Sequence, residues 1–186
     1  ATELSKQRLL KMGEDKWRIT LSGEPGIDTI VHSDFLTKKK LSEKLKVSIE
    51  TDYILLIQHS VSTEPEKSKS QIHETVLALK EIGMKTIFIY PNSDAGGFQI
   101  IKYLEDLRDD KMFFGFDNLP HLEYLTLLKY CSLIVGNSSS GIVESSSFKV
   151  PAVNIGIRQD SRERSSNVID APHSCDEIVN AIKLGL

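Results

Sequence analysis

What this chain lacks narrows it first. It holds only two cysteines, Cys131 and Cys175, too far apart for a CxxC pair. Neither has a His/Cys cluster beside it, so zinc ribbons and dithiol redox centres are excluded and both read as buried or idle thiols. No metal site and no cofactor is called for. Apolar runs are short: the longest, such as residues 53–57, are strand-sized, and the first twenty residues are polar and charged without the apolar stretch of a signal peptide. Neither a membrane-spanning helix nor a leader is therefore expected, and a cytoplasmic location follows. A basic excess is missing too. With 23 Lys and Arg against 26 Asp and Glu the net charge is -3, which leaves no electrostatic drive toward nucleic acid. The Lys38-Lys39-Lys40 run reads as a solvated surface.

What is present is an ordinary globular composition, 40% hydrophobic and 26% charged, over a length that suits one compact core. The expectation is one domain over residues 1–186. Residues 1–12 read as a helix closed by Gly13 and leading into a strand. Such a helix normally has something before it, so residues 1–16 are read as leading in from a missing N-terminal domain.

From there short apolar runs alternate with amphipathic segments, the pattern of a parallel sheet covered by helices on both faces. The expected strands are residues 18–21, 53–58, 86–90, 112–116, 132–135 and 150–155. The expected helices are residues 36–45, 66–82 closing on Gly83, 96–109, one starting at Pro120, a short one over 141–148, and 175–184 with Ser174 as N-cap. The fold class is α/β, a Rossmann-like, doubly wound parallel sheet.

In such sheets ligands bind beyond the carboxyl ends of the strands, and there the polar residues gather. Gly136-Asn137-Ser138-Ser139-Ser140-Gly141 lies between a buried strand and a helix start. Small residues there let backbone N–H groups approach an anion, with hydroxyls as further donors and the helix dipole in support. A plain capped turn is the competing reading. Neither a P-loop nor a nucleophile elbow fits, because no Gly-Lys-Ser/Thr follows and the Gly-x-Ser-x-Gly spacing is absent. Glu144, one turn inside the next helix, would repel phosphate but suits the hydroxyls of a sugar such as ribose; a dipole-stabilising acid is the alternative. His59, at the end of a buried strand, could donate to phosphate or exchange a proton near pH 7, or be structural. His121, after Pro120, carries a weaker signal. Arg158, Arg162 and Arg164 share a polar loop where forked guanidinium groups could hold a phosphate, or could pair with neighbouring acids.

These residues together resemble a known family. Gly136-Asn137-Ser138-Ser139-Ser140-Gly141-Ile142-Val143-Glu144, then Ser147-Phe148-Lys149-Val150-Pro151, Asn154-Ile155-Gly156, Arg158-Gln159, Arg162 and Asn167-Val168-Ile169 resemble the signature of hydrolysing UDP-N-acetylglucosamine 2-epimerases. Gly23-Glu24-Pro25-Gly26-Ile27-Asp28, Gln58-His59 and Pro91-Asn92-Ser93-Asp94-Ala95-Gly96 are similar to further family blocks in the same order, so the resemblance covers nearly the whole chain.

The resemblance implies a glycosyltransferase-B-type fold of which this chain is the C-terminal, UDP-binding domain. It implies His59 as the active-site histidine near the diphosphate, Ser138 and Ser139 with Asn137 and Ser140 in the phosphate loop, and Glu144 on the ribose. Asn92, Asp94 and Arg158 fall at positions associated with the nucleotide or its closed cleft. His121 falls where the uracil contact is usually a Phe, which leaves backbone contacts to the base. The implied reaction removes the sugar C2 proton, eliminates UDP to a 2-acetamidoglucal, and adds water to release N-acetylmannosamine for sialic-acid-type synthesis. Its proton-transferring carboxylates lie in the other domain, so this chain alone should bind but barely turn over. Partners implied are UDP and a UDP-N-acetyl sugar, the N-terminal domain, and a homodimer. The Asn137-Ser138-Ser139-Ser140-Gly141 loop argues against the non-hydrolysing branch, which usually carries Asp-Ser-Gly-Gly there. A branch acting on diacetamido-trideoxy sugars stays open, as does the donor domain of a glycosyltransferase. A receiver-like adaptor is disfavoured, since Ser22-Gly23-Glu24 offers no acidic pair.

Overall fold

The computed structural model describes residues 2–186 and divides them into two compact units, one through Asp34 and one from Phe35 to Leu186. In the first unit, helix α1 spans Glu3–Lys11, with the Thr2 hydroxyl accepting the Ser5 N–H at 3.1 Å as its N-cap. A 3₁₀ turn covers Lys16–Arg18 and helix α2 covers Pro25–His32, with Pro at the start of its first turn where its missing N–H costs nothing. The strand expected over residues 18–21 is not formed. Residues 18, 20 and 21 are exposed and only Ile19 is half-buried, so the segment has no apolar run to bury and no ladder to join.

The second unit holds α3 (Lys38–Leu45), β1 (Ile54–Ile57), α4 (Ser68–Ile82), β2 (Thr86–Ile89), α5 (Gly97–Glu105), β3 (Phe113–Phe116), α6 (His121–Tyr130), β4 (Leu133–Gly136), α7 (Glu144–Ser147), β5 (Ala152–Ile155), β6 (Val168–Ala171) and α8 (Cys175–Gly185). The six strands are parallel, in the order β3-β2-β1-β4-β5-β6. That is the doubly wound order, whose direction reverses between β1 and β4.

Alternation explains why such short strands suffice. Ile54 and Leu56 pack to one face with Ile72, Val76 and Leu79 of α4 and Ile178 and Ile182 of α8, while Leu55 and Ile57 pack to the other with Leu41 and Leu45 of α3 and Leu127 and Leu128 of α6. Both faces are buried, so β1 and β4 read as unbroken apolar runs. Helix α4 stops at Gly83, whose φ of 70° forms the left-handed cap expected of it.

The sheet corrects two expectations. Its sixth strand is β6, which lies outside the expected strands because its half-exposed Val-Ile-Asp-Ala carries no apolar run. The helix expected over 141–148 is broken into a 3₁₀ turn, Ser139–Gly141, and the single turn of α7. Serine explains the break: the Ser145 hydroxyl donates to the Gly141 carbonyl at 2.9 Å and that of Ser146 to the Val143 carbonyl at 2.9 Å, competing with helix bonds.

Candidate functional site

The reversal between β1 and β4 leaves a crevice at their carboxyl ends, and Gly136 sets its depth. Its φ of 127° and its closeness to the Ile57 main chain let the two strand ends meet where any side chain would intervene. Residues 58–60 leave β1 beside residues 137–140 leaving β4. A cleft of about 470 Å³ opens above this junction, and it brings together His59, Asn92, His121, Ser138 and Ser140 with Tyr90, Leu119 and Tyr124.

His59 sits at the junction. Its main chain is clamped: its N–H donates to Asn137 Oδ1 at 2.7 Å and its carbonyl accepts from Asn137 Nδ2 at 2.9 Å. Burial, with the nearby Arg158 guanidinium, pushes its pKa below the ordinary histidine value, against a smaller upward pull from Asp94. Its Nδ1 is buried without a protein partner. The ring is therefore biased toward the neutral form, which keeps one donor and one acceptor nitrogen.

Asn137 is 0% exposed and lies beneath the cleft, not on its wall. Its carbonyl accepts from Arg158 Nη1 at 3.1 Å and from Gln159 Nε2 at 2.8 Å. Ser138 caps the 3₁₀ turn, its Oγ accepting the Ser140 N–H at 3.3 Å. Ser139 is half-buried in that turn and does not line the cleft. A single-turn helix such as α7 has almost no macrodipole, so the attraction for an anion expected from a helix N-terminus falls to the loop's N–H and hydroxyl groups and to Arg158.

Glu144 opens α7 and points a carboxylate oxygen into buried space without a donor. Beside it and Ser140 lies the hydroxyl of Tyr124, also buried, with no well-aligned hydrogen bond and a pKa raised by burial. Buried oxygens without partners are costly unless something supplies the missing bonds. A polyol would satisfy both. Asn92 and Asp94 are exposed on the β2–α5 loop, where the Asp94 carbonyl accepts the Gly97 N–H at 2.7 Å in a tight turn. Asp94 reaches the site through its charge on His59.

Tyr124 and Gln159 are residues of this site to which the sequence alone assigns no role. Tyr124 stands one turn beyond His121 on α6, and helical spacing from His121 could have found it. Gln159, 2% exposed, stands in the sequence only as part of the Arg158-Gln159 pair of the family resemblance, and its bond to the Asn137 carbonyl depends on the fold. None of the three arginines of that loop lines the cleft: Arg158 reaches the Asn137 carbonyl near His59, Arg164 pairs with Asp170 and Asp160, and Arg162 is exposed. Among the described residues no helix is long and apolar enough to cross a membrane. The one group of potential metal ligands found among them, Glu81, Cys175 and Asp176, lies apart from the cleft-lining residues.

Comparison with known proteins agrees with this architecture. A Legionella pneumophila protein named UDP-N,N'-diacetylbacillosamine 2-epimerase (hydrolyzing) is 35% identical over 100% of this chain and 49% of its own length. A Neisseria meningitidis UDP-N-acetylglucosamine 2-epimerase is 31% identical over 98% of this chain and 48% of its own. The chain thus spans about half the length of the curated relatives it matches. The crystal structure of the Methanocaldococcus jannaschii UDP-GlcNAc 2-epimerase in complex with UDP-GlcNAc and UDP superposes with a TM-score of 0.75 at 18% identity, covering 100% of this chain and 52% of that one. The fold is the Rossmann-like domain of these glycosyltransferase-B-type epimerases. The sequence model of the UDP-N-acetylglucosamine 2-epimerase family matches residues 1–186 throughout, and the chain belongs to that family.

Proposed function

We propose that this chain is the nucleotide-holding half of a hydrolysing UDP-N-acetylglucosamine 2-epimerase. UDP lies in the crevice between β1 and β4. Its diphosphate meets the turn at Ser138, Ser139 and Ser140 with Arg158 and His59, its ribose hydroxyls bond to Glu144, and its base faces the His121 end of the cleft. Asn92 and Asp94 stand on the exposed loop over the nucleotide. The observation that carries this reading is the Glu144 carboxylate oxygen, buried without a donor next to Ser140 and Tyr124. A carboxyl oxygen without a partner in that position calls for hydroxyl donors, and a ribose supplies a vicinal pair of them.

His59, biased toward the neutral form, offers its ring N–H as a hydrogen-bond donor to the departing diphosphate as the bond to the sugar breaks, without giving up that proton. The reaction is loss of the C2 proton with elimination of UDP, then addition of water to release N-acetylmannosamine for sialic-acid-type synthesis in the cytoplasm. The carboxylates that move protons at C2 belong to an N-terminal domain, and the assembled enzyme is a homodimer. This half binds UDP and barely turns over.

Calorimetric titration with UDP and, separately, uridine tests the reading. Saturable binding of UDP at micromolar to millimolar concentration, much weaker for uridine, is expected. No binding of UDP at millimolar concentration, or rapid N-acetylmannosamine release by this chain alone, refutes it. A second substrate has its own support. The relative at 35% identity is named for a diacetamido-type UDP-sugar, so a diacetamido-trideoxy UDP-sugar is to be assayed beside UDP-N-acetylglucosamine.

A further inference from the structure

We propose that Asn137 is a positioning residue that never touches the ligand: its side chain fixes the His59 peptide at the cleft and its main-chain carbonyl fixes Arg158, so that the guanidinium is held near the imidazole in one set geometry. The proposal rests on the nucleotide-binding reading for its function but on Asn137's own bonds for its geometry.

Each hydrogen-bonding group of Asn137 is used inward. The amide oxygen takes the His59 N–H at 2.7 Å and the amide nitrogen serves the His59 carbonyl at 2.9 Å, a two-point clamp that continues the β1–β4 ladder by one side-chain step. Its N–H donates to the Ile57 carbonyl at 3.1 Å, and its carbonyl receives both Arg158 at 3.1 Å and Gln159 at 2.8 Å. The residue is completely buried and absent from the cleft lining. One amide hydrogen has no partner among these bonds, but burial beneath the cleft keeps it from a phosphate lying there. The clamp also has a consequence for charge. Because His59 and Arg158 are anchored to the same residue, the guanidinium stays near the ring and resists its protonation, while Asp94, from the β2–α5 loop, opposes that effect. A clamp on one peptide and a strut to one guanidinium are together what couples the two.

The test is the titration of the His59 ring, followed by NMR in the unliganded chain, with UDP affinity measured in parallel. In Asn137→Ala the His59 peptide loses both bonds, and the ring is expected to reach water and move away from Arg158. Its midpoint should then rise measurably toward the ordinary histidine value near 6.5. UDP affinity should fall by about tenfold, as expected for a misplaced charged contact. Asn137→Ser, which keeps one hydroxyl for the same peptide, should fold even where alanine does not and fall between the two. A residue that merely supports the fold would lower melting temperature and leave the His59 midpoint where it is. An unchanged midpoint in both variants overturns the proposal. If wild-type chain binds no UDP while the midpoint still shifts, the nucleotide reading fails and the coupling stands.

Discussion

Replacing Gly136 with alanine probes the seam on which the site is built. At its φ of 127° an added Cβ would collide with the Ile57 carbonyl oxygen and stand 2.6 Å from the carbonyl carbon. Two effects add. An L-residue forced out of its favoured backbone regions carries ~1–2 kcal/mol of strain. A methyl pressed against main-chain atoms that cannot rotate aside adds the ~1–3 kcal/mol typical of overpacking. The sum of about 2–5 kcal/mol is a large part of the ~5–15 kcal/mol by which a domain is stable. For a chain of this size it lowers the melting temperature by about 4–20 °C. Gly83→Ala is the control. Its φ of 70° is also left-handed, but nothing lies within 4 Å of the added Cβ, so only strain of about 1 kcal/mol remains. Thermal melts by circular dichroism measure both, and UDP titration shows whether the Asn137 to Ser140 turn has moved. If Gly136→Ala melts no lower than Gly83→Ala and binds UDP unchanged, the close approach of β1 and β4 does not hold the site as described.

Further outcomes can be checked. Glu144→Gln, which keeps the shape but removes the charge from a buried acceptor, should weaken UDP by about 1.5–3 kcal/mol, the value of a hydrogen bond to a charged group, and should leave pyrophosphate binding unchanged; calorimetry with both ligands decides it. Thr75→Val removes the donor to Gln58 Oε1 at 2.7 Å in a wholly buried pair, and a cost of about 1–3 kcal/mol for the stranded amide oxygen should appear in denaturant melts. The pKa values of His59 and His173 are both lowered, first of all by burial, so below pH 6.5 the unfolded chain binds more protons than the folded one. Stability should therefore fall as pH drops from 7 toward 5, by at most about 1.4 kcal/mol per pH unit for each ring, and His59→Asn should reduce the slope.

The strands β1, β2 and β4 and the helix α4 were legible in the sequence because their physical signals are local. Ile54 to Ile57 is apolar without interruption, and Gly83 marks the end of a helix by itself. The phosphate-loop candidates were legible for the same reason, as small polar residues directly after a buried run. What escaped depends on pairing across distance. Val168 to Ala171 becomes a strand because β5 offers it an edge, and nothing in Val-Ile-Asp-Ala announces that. Residues 18–21 resembled a strand yet have no such edge. Asn137 looked like one more ligand in a polar loop. Its role emerges only when β1 and β4 lie side by side, since the His59 peptide it grips is 78 positions away.

That separation bears on how the molecule becomes competent. The two halves of the sheet, β3-β2-β1 and β4-β5-β6, are each built from near neighbours in sequence, and one ladder joins them. Every candidate ligand contact depends on that single joint: His59 belongs to one half, and Ser138, Glu144 and Arg158 to the other. Either half could be fully formed and still hold no nucleotide. Binding competence should therefore return during refolding only with the slowest step, the docking of the halves, after helix content has largely recovered. A bound nucleotide, by favouring the docked form through mass action, would act as a pin through the hinge line of the sheet, and its grip should be felt most in hydrogen exchange at Ile57 and Gly136 and least at the outer edges, β3 and β6.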